Sequence, residues 1–189
     1  VQTAGSSLTL QQPDNNIVRT TIEALAAALG GCQSLHTNSK DEAIALPTEA
    51  SALTALRTQQ IIAFETGVGS VVDPCGGSYY IENLTSRIEA EVEEYLARIE
   101  EMGGAIKAVE TGFIQKEIQD SAYEDHQEVE SKRKLVVGVN SFIDKEEEEI
   151  PVQRISPELE SKQVNYLKEI RAGRDQEKVN AILARLSKA

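Results

Sequence analysis

The first third of this 189-residue chain alternates strand-type and helix-type sequence, and then the alternation stops. Residues 1–9 are small and polar around Gly5, as at the end of a strand running into a loop. Pro13-Asp-Asn-Asn16 is a turn and helix start, and Val18, Ile22, Leu25 and Leu29 then recur at helical spacing. Gly30-Gly31 ends that helix, because glycine takes a left-handed C-cap at little cost. Cys32–His36 reads as a second short strand, and Thr37 to Ala45 as a loop. A second helix is predicted from Glu49 to Glu65, with Leu53, Leu56, Ile61 and Phe64 on one side. Strand, helix, strand, helix is a parallel α/β pattern. Two such units leave a two-stranded sheet, which is not stable alone. The chain is therefore expected to be a fragment or subunit of a larger α/β assembly, with the missing strands on the same chain or on a partner.

The remainder reads as mainly helical. Asp73-Pro-Cys-Gly-Gly-Ser-Tyr-Tyr80 is rich in turn residues. A long helix follows, with Ile88, Val92, Tyr95, Leu96, Ile99 and Met102 as its stripe, and Gly103-Gly104 ends it. Helical sequence resumes from Ala105 to about Ser131, with a break at Gly112. Leu135-Val-Val-Gly-Val139 is a β-branched run and predicts a short strand. Lys145-Glu-Glu-Glu-Glu149 reads as an exposed loop. Ser156-Pro-Glu-Leu is an N-cap with proline at the first helical position. That helix runs to about Ala172, Gly173 interrupts it, and Val179, Ile182, Leu183 and Leu186 mark a last amphipathic piece. No internal repeat is evident.

Composition narrows the function. The formal net charge of −12 argues against nucleic acid, which a basic surface must meet, and against an anionic membrane surface. No apolar run approaches a membrane span. Val1-Gln-Thr-Ala-Gly5 has neither the basic nor the apolar region of a secretory leader. Cys32 and Cys75 are expected as reduced thiols in a cytoplasmic compartment. Metal-ligand spacing and a nucleophile triad are both missing, and His126, in a charged helix, reads as surface.

Three segments could carry chemistry. In Gln2-Thr-Ala-Gly-Ser6, a glycine just past a strand lets a bulky ligand approach the backbone, and Gln2 offers both a donor and an acceptor. An ordinary loop glycine is the competing reading. In Gln33–Ala43, polar side chains alternate along a strand, and Thr37, Asn38, Asp41 and Glu42 crowd the loop beyond it. Parallel barrels place their sites at such strand ends. The competing reading is a satisfied strand followed by a cap and a turn. In Asp73–Tyr80 the tyrosines could line a pocket or an interface, but a rigid turn whose tyrosines pack under the next helix is the preferred reading.

The order QTAG, QQPDNNIVR, GGCQSLHTNSKDEAIALPTE, ALRTQQIIAFETGV, DPCGGSYYIENLT, IEEMGGAIKAVETGFIQKEI and VVGVN resembles the large, catalytic subunit of the methylmalonyl-CoA mutase family. The resemblance covers nearly the whole chain and is most specific from Gln33 to Thr48. It implies the C-terminal portion of a TIM (β/α)8 barrel. Residues 1–70 would be its last two strand–helix units, and 71–189 a mainly helical segment with one short strand near 135–139. The implied cofactor is adenosylcobalamin and the implied substrate an acyl-CoA. Gln2 and Gly5 would face the corrin at the end of the seventh strand. Gln33 would point toward the thioester and pantetheine, with His36 as a second substrate-binding residue. Asn38, Glu42 and Ala43 would lie at the end of the eighth strand, near the adenosyl group and corrin edge. Ala45 is a further member, and Glu42 would bond ribose hydroxyls.

The implied activity is an isomerase: radical carbon-skeleton rearrangement of the type that converts methylmalonyl-CoA to succinyl-CoA. The chain alone is expected to be inactive. It carries no catalytic residue or metal ligand of its own, since the Asp-x-His-x-x-Gly motif for cobalt is absent and the expected tyrosine, histidine and arginine lie upstream. Its implied partners are the remainder of the barrel and a cobalamin-binding domain or subunit. The implied compartment is the cytoplasm, or the mitochondrial matrix in a eukaryote. Ser6 stands where several methylmalonyl-type enzymes have tryptophan, and Ala4 where serine is common. Isobutyryl-CoA and 2-hydroxyisobutyryl-CoA mutases share much of this region and are the alternatives. A non-catalytic interaction module, built on the acidic helical residues 86–189, is the alternative from another class.

Overall fold

In a computed structural model, which describes residues 1–144 and 151–188, the helical periodicity of the sequence becomes seven α-helices. They are α1 (Asn15–Leu29), α2 (Glu49–Glu65), α3 (Tyr79–Glu101), α4 (Ala105–Glu110), α5 (Phe113–Glu130), α6 (Pro157–Gly173) and α7 (Gln176–Leu186). The charge run 145–149 lies outside the described residues. Two compact units form, Val1–Val152 and Gln153–Ala189.

Local chemistry explains the helix ends. The Thr48 hydroxyl accepts the Ser51 N–H at 3.3 Å and starts α2. Gly103 at φ +97° and Gly112 at φ +78° take conformations that side chains resist, so α3 stops and α4 is separated from α5. In the second unit, the Ser156 hydroxyl accepts the Glu158 N–H at 3.2 Å, and Asp175 caps α7 by accepting the Lys178 N–H at 3.1 Å.

No strand forms among the described residues. The two predicted parallel strands are reduced to one parallel bridge between Gln2 and His36. His36 N–H donates to the Val1 carbonyl at 2.9 Å, and Thr3 N–H to the His36 carbonyl at 3.1 Å. The parallel direction agrees with the sequence pattern, but a pair without flanking strands does not extend. The run Leu135–Val139 is a turn and not a strand. Gly138 sits at φ +82°, and the Asn140 side chain accepts the Val136 N–H and donates to the carbonyls of Val129 and Lys134. The run's own backbone groups are also used locally: the Val136 carbonyl accepts the Val139 and Asn140 N–H groups at 3.1 Å, and the Gly138 N–H donates to the Ser141 carbonyl at 2.8 Å.

Helices α1 and α2 pack together, and the interior of this part is polar. Thr3, Asn16, Thr20, Thr37, Asn38, Ser39, Asp41, Ser51 and Thr58 are buried, with Ala24 and Ile62 as the buried apolar residues beside them. Asn16, fully buried, is the junction. Its amide group donates to the carbonyls of Thr9 and Lys40, and its oxygen accepts from Thr9 N–H and Arg19. The apolar stripes are left outside: Leu53, Leu56, Ile61 and Phe64 of α2 are all exposed, Phe64 by 84%.

On α3, Ile81, Leu84, Ile88, Val92 and Tyr95 form an apolar stripe at three- and four-residue spacing, and all are at least 39% exposed. At its end Arg98 lies over the Tyr95 and Phe113 rings, while Tyr95 donates to Glu117 of α5 at 2.7 Å.

Asn16→Ala is expected to cost about 2 kcal/mol or more, because it strands several polar groups away from water. Amide exchange in the enzyme that carries this chain provides the check. Thr9 N–H, which loses its acceptor, should exchange faster; unchanged protection there would refute Asn16 as the junction.

Candidate functional site

The bridge fixes which side chains meet at the first site. With Gln2 opposite His36, Gln2 Nε2 donates to Asn38 Oδ1 at 3.1 Å, and the Asn38 N–H donates to Thr3 Oγ1 at 3.0 Å. Gly5 stands before the same amide: a Cβ placed on it would lie 3.4 Å from Asn38 Nδ2. Asn38 is 3% exposed, and its Nδ2 has no hydrogen-bond partner among the described residues. An unmet buried donor costs free energy, which a ligand acceptor would recover. Gln2, Gly5 and Asn38 thus form one cluster.

A second arrangement lies between the loop and α2. His36 and Glu42 line an open cleft of about 220 Å³, floored by Pro47, Ala52, Ala55 and Leu56. Thr37 and Gln59 close one wall: Thr37 Oγ1 donates to the Ala55 carbonyl at 2.7 Å and accepts from Gln59 Nε2 at 3.0 Å. Glu42 Oε1 accepts the Ser39 N–H at 2.9 Å, so one carboxylate oxygen serves the loop. Glu42 and Ala43 are exposed, and Ala45 is half-buried with its N–H donating to the Asp41 carbonyl at 3.0 Å. Gln33 is exposed and joins neither group.

Asp41, one of the polar residues crowding this loop, holds it from inside. Asp41 is 3% exposed. Its Oδ1 accepts from Ser39 Oγ at 2.8 Å, and its Oδ2 accepts the Thr48 N–H at 3.0 Å and the Thr48 hydroxyl at 3.2 Å. Burial pushes its carboxyl up, but the Thr48 N–H and the Ser51 and Ser39 hydroxyls outweigh burial and hold it below the usual carboxylate range. The available signal was the density of Ser and Thr around one acid, which reads equally as a turn. Among the described residues no group of three or more His, Cys, Asp or Glu could hold a metal ion. Nor is any helix there long and apolar enough to cross a membrane.

Gln2, Gly5 and Asn38 thus stand as a polar cluster at one end of the parallel pair, beside the cleft lined by His36 and Glu42. Comparison with known sequences then gives the family. The methylmalonyl-CoA mutase family model matches residues 1–189, and the chain belongs to that family. It is 48% identical over 186 residues to the 2-hydroxyisobutanoyl-CoA mutase large subunit of Aquincola tertiaricarbonis, covering 98% of this chain and 33% of the relative. It is 43% identical over 189 residues to methylmalonyl-CoA mutase of Escherichia coli, covering 100% and 26%. The mitochondrial methylmalonyl-CoA mutase of Bos taurus is 47% identical over 176 residues, covering 93% and 24%. The chain thus spans about a quarter to a third of the length of these relatives.

The lowered Asp41 value carries a pH dependence. A carboxyl depressed by folding contributes its full stabilisation above the unfolded-state value of about 3.9, and loses it as pH falls through the folded-state value. After correction for intrinsic exchange, Thr48 N–H should be protected at neutral pH and lose protection below about pH 4. Protection that does not change across that range would contradict the assignment.

Proposed function

We propose that this chain is part of an adenosylcobalamin-dependent mutase that isomerises the carbon skeleton of an acyl-CoA. The substrate type is methylmalonyl-CoA to succinyl-CoA, with isobutyryl-CoA and 2-hydroxyisobutyryl-CoA types as alternatives. In this reading residues 1–70 are the last two strand–helix units of a TIM barrel, and 71–189 follow it. The unextended bridge and the exposed faces of α1 and α2 support a missing remainder of the barrel, on the same chain or on a partner. The family match over residues 1–189 supports the reaction class. A cobalamin-binding domain or subunit completes the assembly, in the cytoplasm or, in a eukaryote, the mitochondrial matrix.

The observation that carries the cofactor reading is the convergence of Gln2, the side-chain-free Gly5 and Asn38 at one end of the parallel bridge, with the buried Asn38 Nδ2 lacking a partner among the described residues. A corrin rim carries amide groups, which can accept from such a donor, and glycine lets a large ring approach the backbone. Gln2 and Asn38 would hold the ring edge. Glu42, with Ala43 and Ala45 beside it, would bond the ribose hydroxyls. Gln33 and His36 would meet the acyl-CoA. When bound, the cofactor supplies the radical chemistry, and this chain's residues bind, orient and exclude water.

The test uses the enzyme that carries this chain, assembled with its cobalamin-binding part. It should bind adenosylcobalamin, seen as an absorbance change, and isomerise one of the three acyl-CoA types. Asn38→Ala and Glu42→Ala should each weaken cofactor binding by about tenfold, as expected for one lost hydrogen bond to a buried or charged group. Absence of corrin binding in the complete assembly would overturn the reading.

A further inference from the structure

We propose that Asp41 is a positioning residue for the cofactor site, a cross-brace that fixes Asn38 and Glu42 relative to α2. The inference rests on the cofactor reading of Asn38 and Glu42. Asp41 is buried, being 3% exposed, and its polar atoms reach three parts of the loop at once. Oδ1 takes the Ser39 hydroxyl at 2.8 Å, immediately beyond Asn38. Oδ2 takes the Thr48 N–H at 3.0 Å and hydroxyl at 3.2 Å, at the cap of α2. Its carbonyl takes the N–H groups of Ile44 at 2.9 Å and Ala45 at 3.0 Å, closing the turn that presents Glu42 and Ala43. Ser39 is shared between the two acids, since its N–H goes to Glu42 Oε1 at 2.9 Å while its hydroxyl goes mainly to Asp41.

Every side-chain contact of Asp41 is an incoming donor, and an ionised carboxylate can accept all of them. Asparagine can keep the brace, because the Ser39 hydroxyl can turn and accept from its amide while the amide oxygen serves Thr48. Alanine cannot, since it removes the acceptors of Ser39 and Thr48 together. The loop between them carries Asn38 and Glu42, so that loss lets both side chains drift from their places. A misplacement of about 1 Å is enough to cost function in a preorganised site.

Cofactor affinity and thermal stability of the assembled enzyme, measured separately, test this. Asp41→Ala should weaken adenosylcobalamin binding by about tenfold or more, read by absorbance titration. With cofactor saturating, the KM for acyl-CoA should stay within about twofold, a split that general loss of folding would not produce. Ser39→Ala cuts only the Asn38 side of the brace and keeps α2 capped, so it serves if Asp41→Ala fails to assemble. It should weaken cofactor binding in the same direction. The double variant should be no worse than Asp41→Ala alone, because that substitution already removes the connection to Ser39. If Asn38→Ala and Glu42→Ala weaken cofactor binding while Asp41→Ala and Ser39→Ala only lower the melting temperature, the brace is refuted and the site stands. If none of the four changes affinity, the cofactor reading and the brace fall together.

Discussion

Two backbone hydrogen bonds set the register on which everything at the site depends. His36 N–H reaches Val1, Thr3 N–H reaches the same residue His36, and Gln2 thereby stands opposite it. A slip of one residue would turn each side chain to the other face and part Gln2 and Thr3 from Asn38. So short a pair cannot hold its own register. Side-chain bonds do it: Gln2 to Asn38, Thr3 to the Asn38 N–H, and Thr37 to Ala55 in α2. This is why the interior near the site is made of Thr, Asn, Ser and Asp. Directional bonds fix geometry where apolar contacts would fix only proximity. Each bond contributes about 1 kcal/mol net, so the arrangement specifies a position more than it supplies stability.

Stability has to come from the apolar surface, and that surface lies on the outside. Val18 and Ile22 of α1 and Leu53, Leu56, Ile61 and Phe64 of α2 are exposed although each set keeps helical spacing. A helix in an α/β layer buries its stripe on strands. Here the strands exist only as the Gln2–His36 bridge, so the stripes have nothing to cover them. Exposed stripes and an unextended bridge are two consequences of one shortage. Both fit a chain spanning a quarter to a third of its relatives.

The helices were legible because their determinants are local. Glycines at 103, 104 and 112, the Thr48 cap and the Ser156-Pro157 start mark boundaries within a turn or two of sequence. Strands were not, because a strand exists by virtue of its neighbours. Leu135–Val139 shows the converse: its β-branched composition lost to Gly138 and to the Asn140 side chain. At the site, Gln2, Gly5 and Asn38 were named from sequence and do come together, while Gln33 does not join them. Asp41 was visible as a letter but not as a brace. Its role depends on which oxygen meets Ser39 and which meets Thr48, and no spacing rule encodes that.

The two acids that stand side by side illustrate how neighbouring residues divide a task. Asp41 is buried and takes only donors, so it has no capacity left for a ligand. Glu42 is exposed and commits one oxygen to the Ser39 N–H, an attachment that orients the carboxylate without exhausting it. Asn38 completes the set from the other direction, with its oxygen engaged by Gln2 and its nitrogen unpartnered among the described residues. In each exposed or half-engaged group one atom is tied to the protein and another is not. That is the condition for binding with little loss of side-chain entropy, since the rotamer is already chosen before any ligand arrives. The polar interior thus does more than replace missing apolar contacts: it sets the rotamers of the exposed Glu42 and of the buried Asn38.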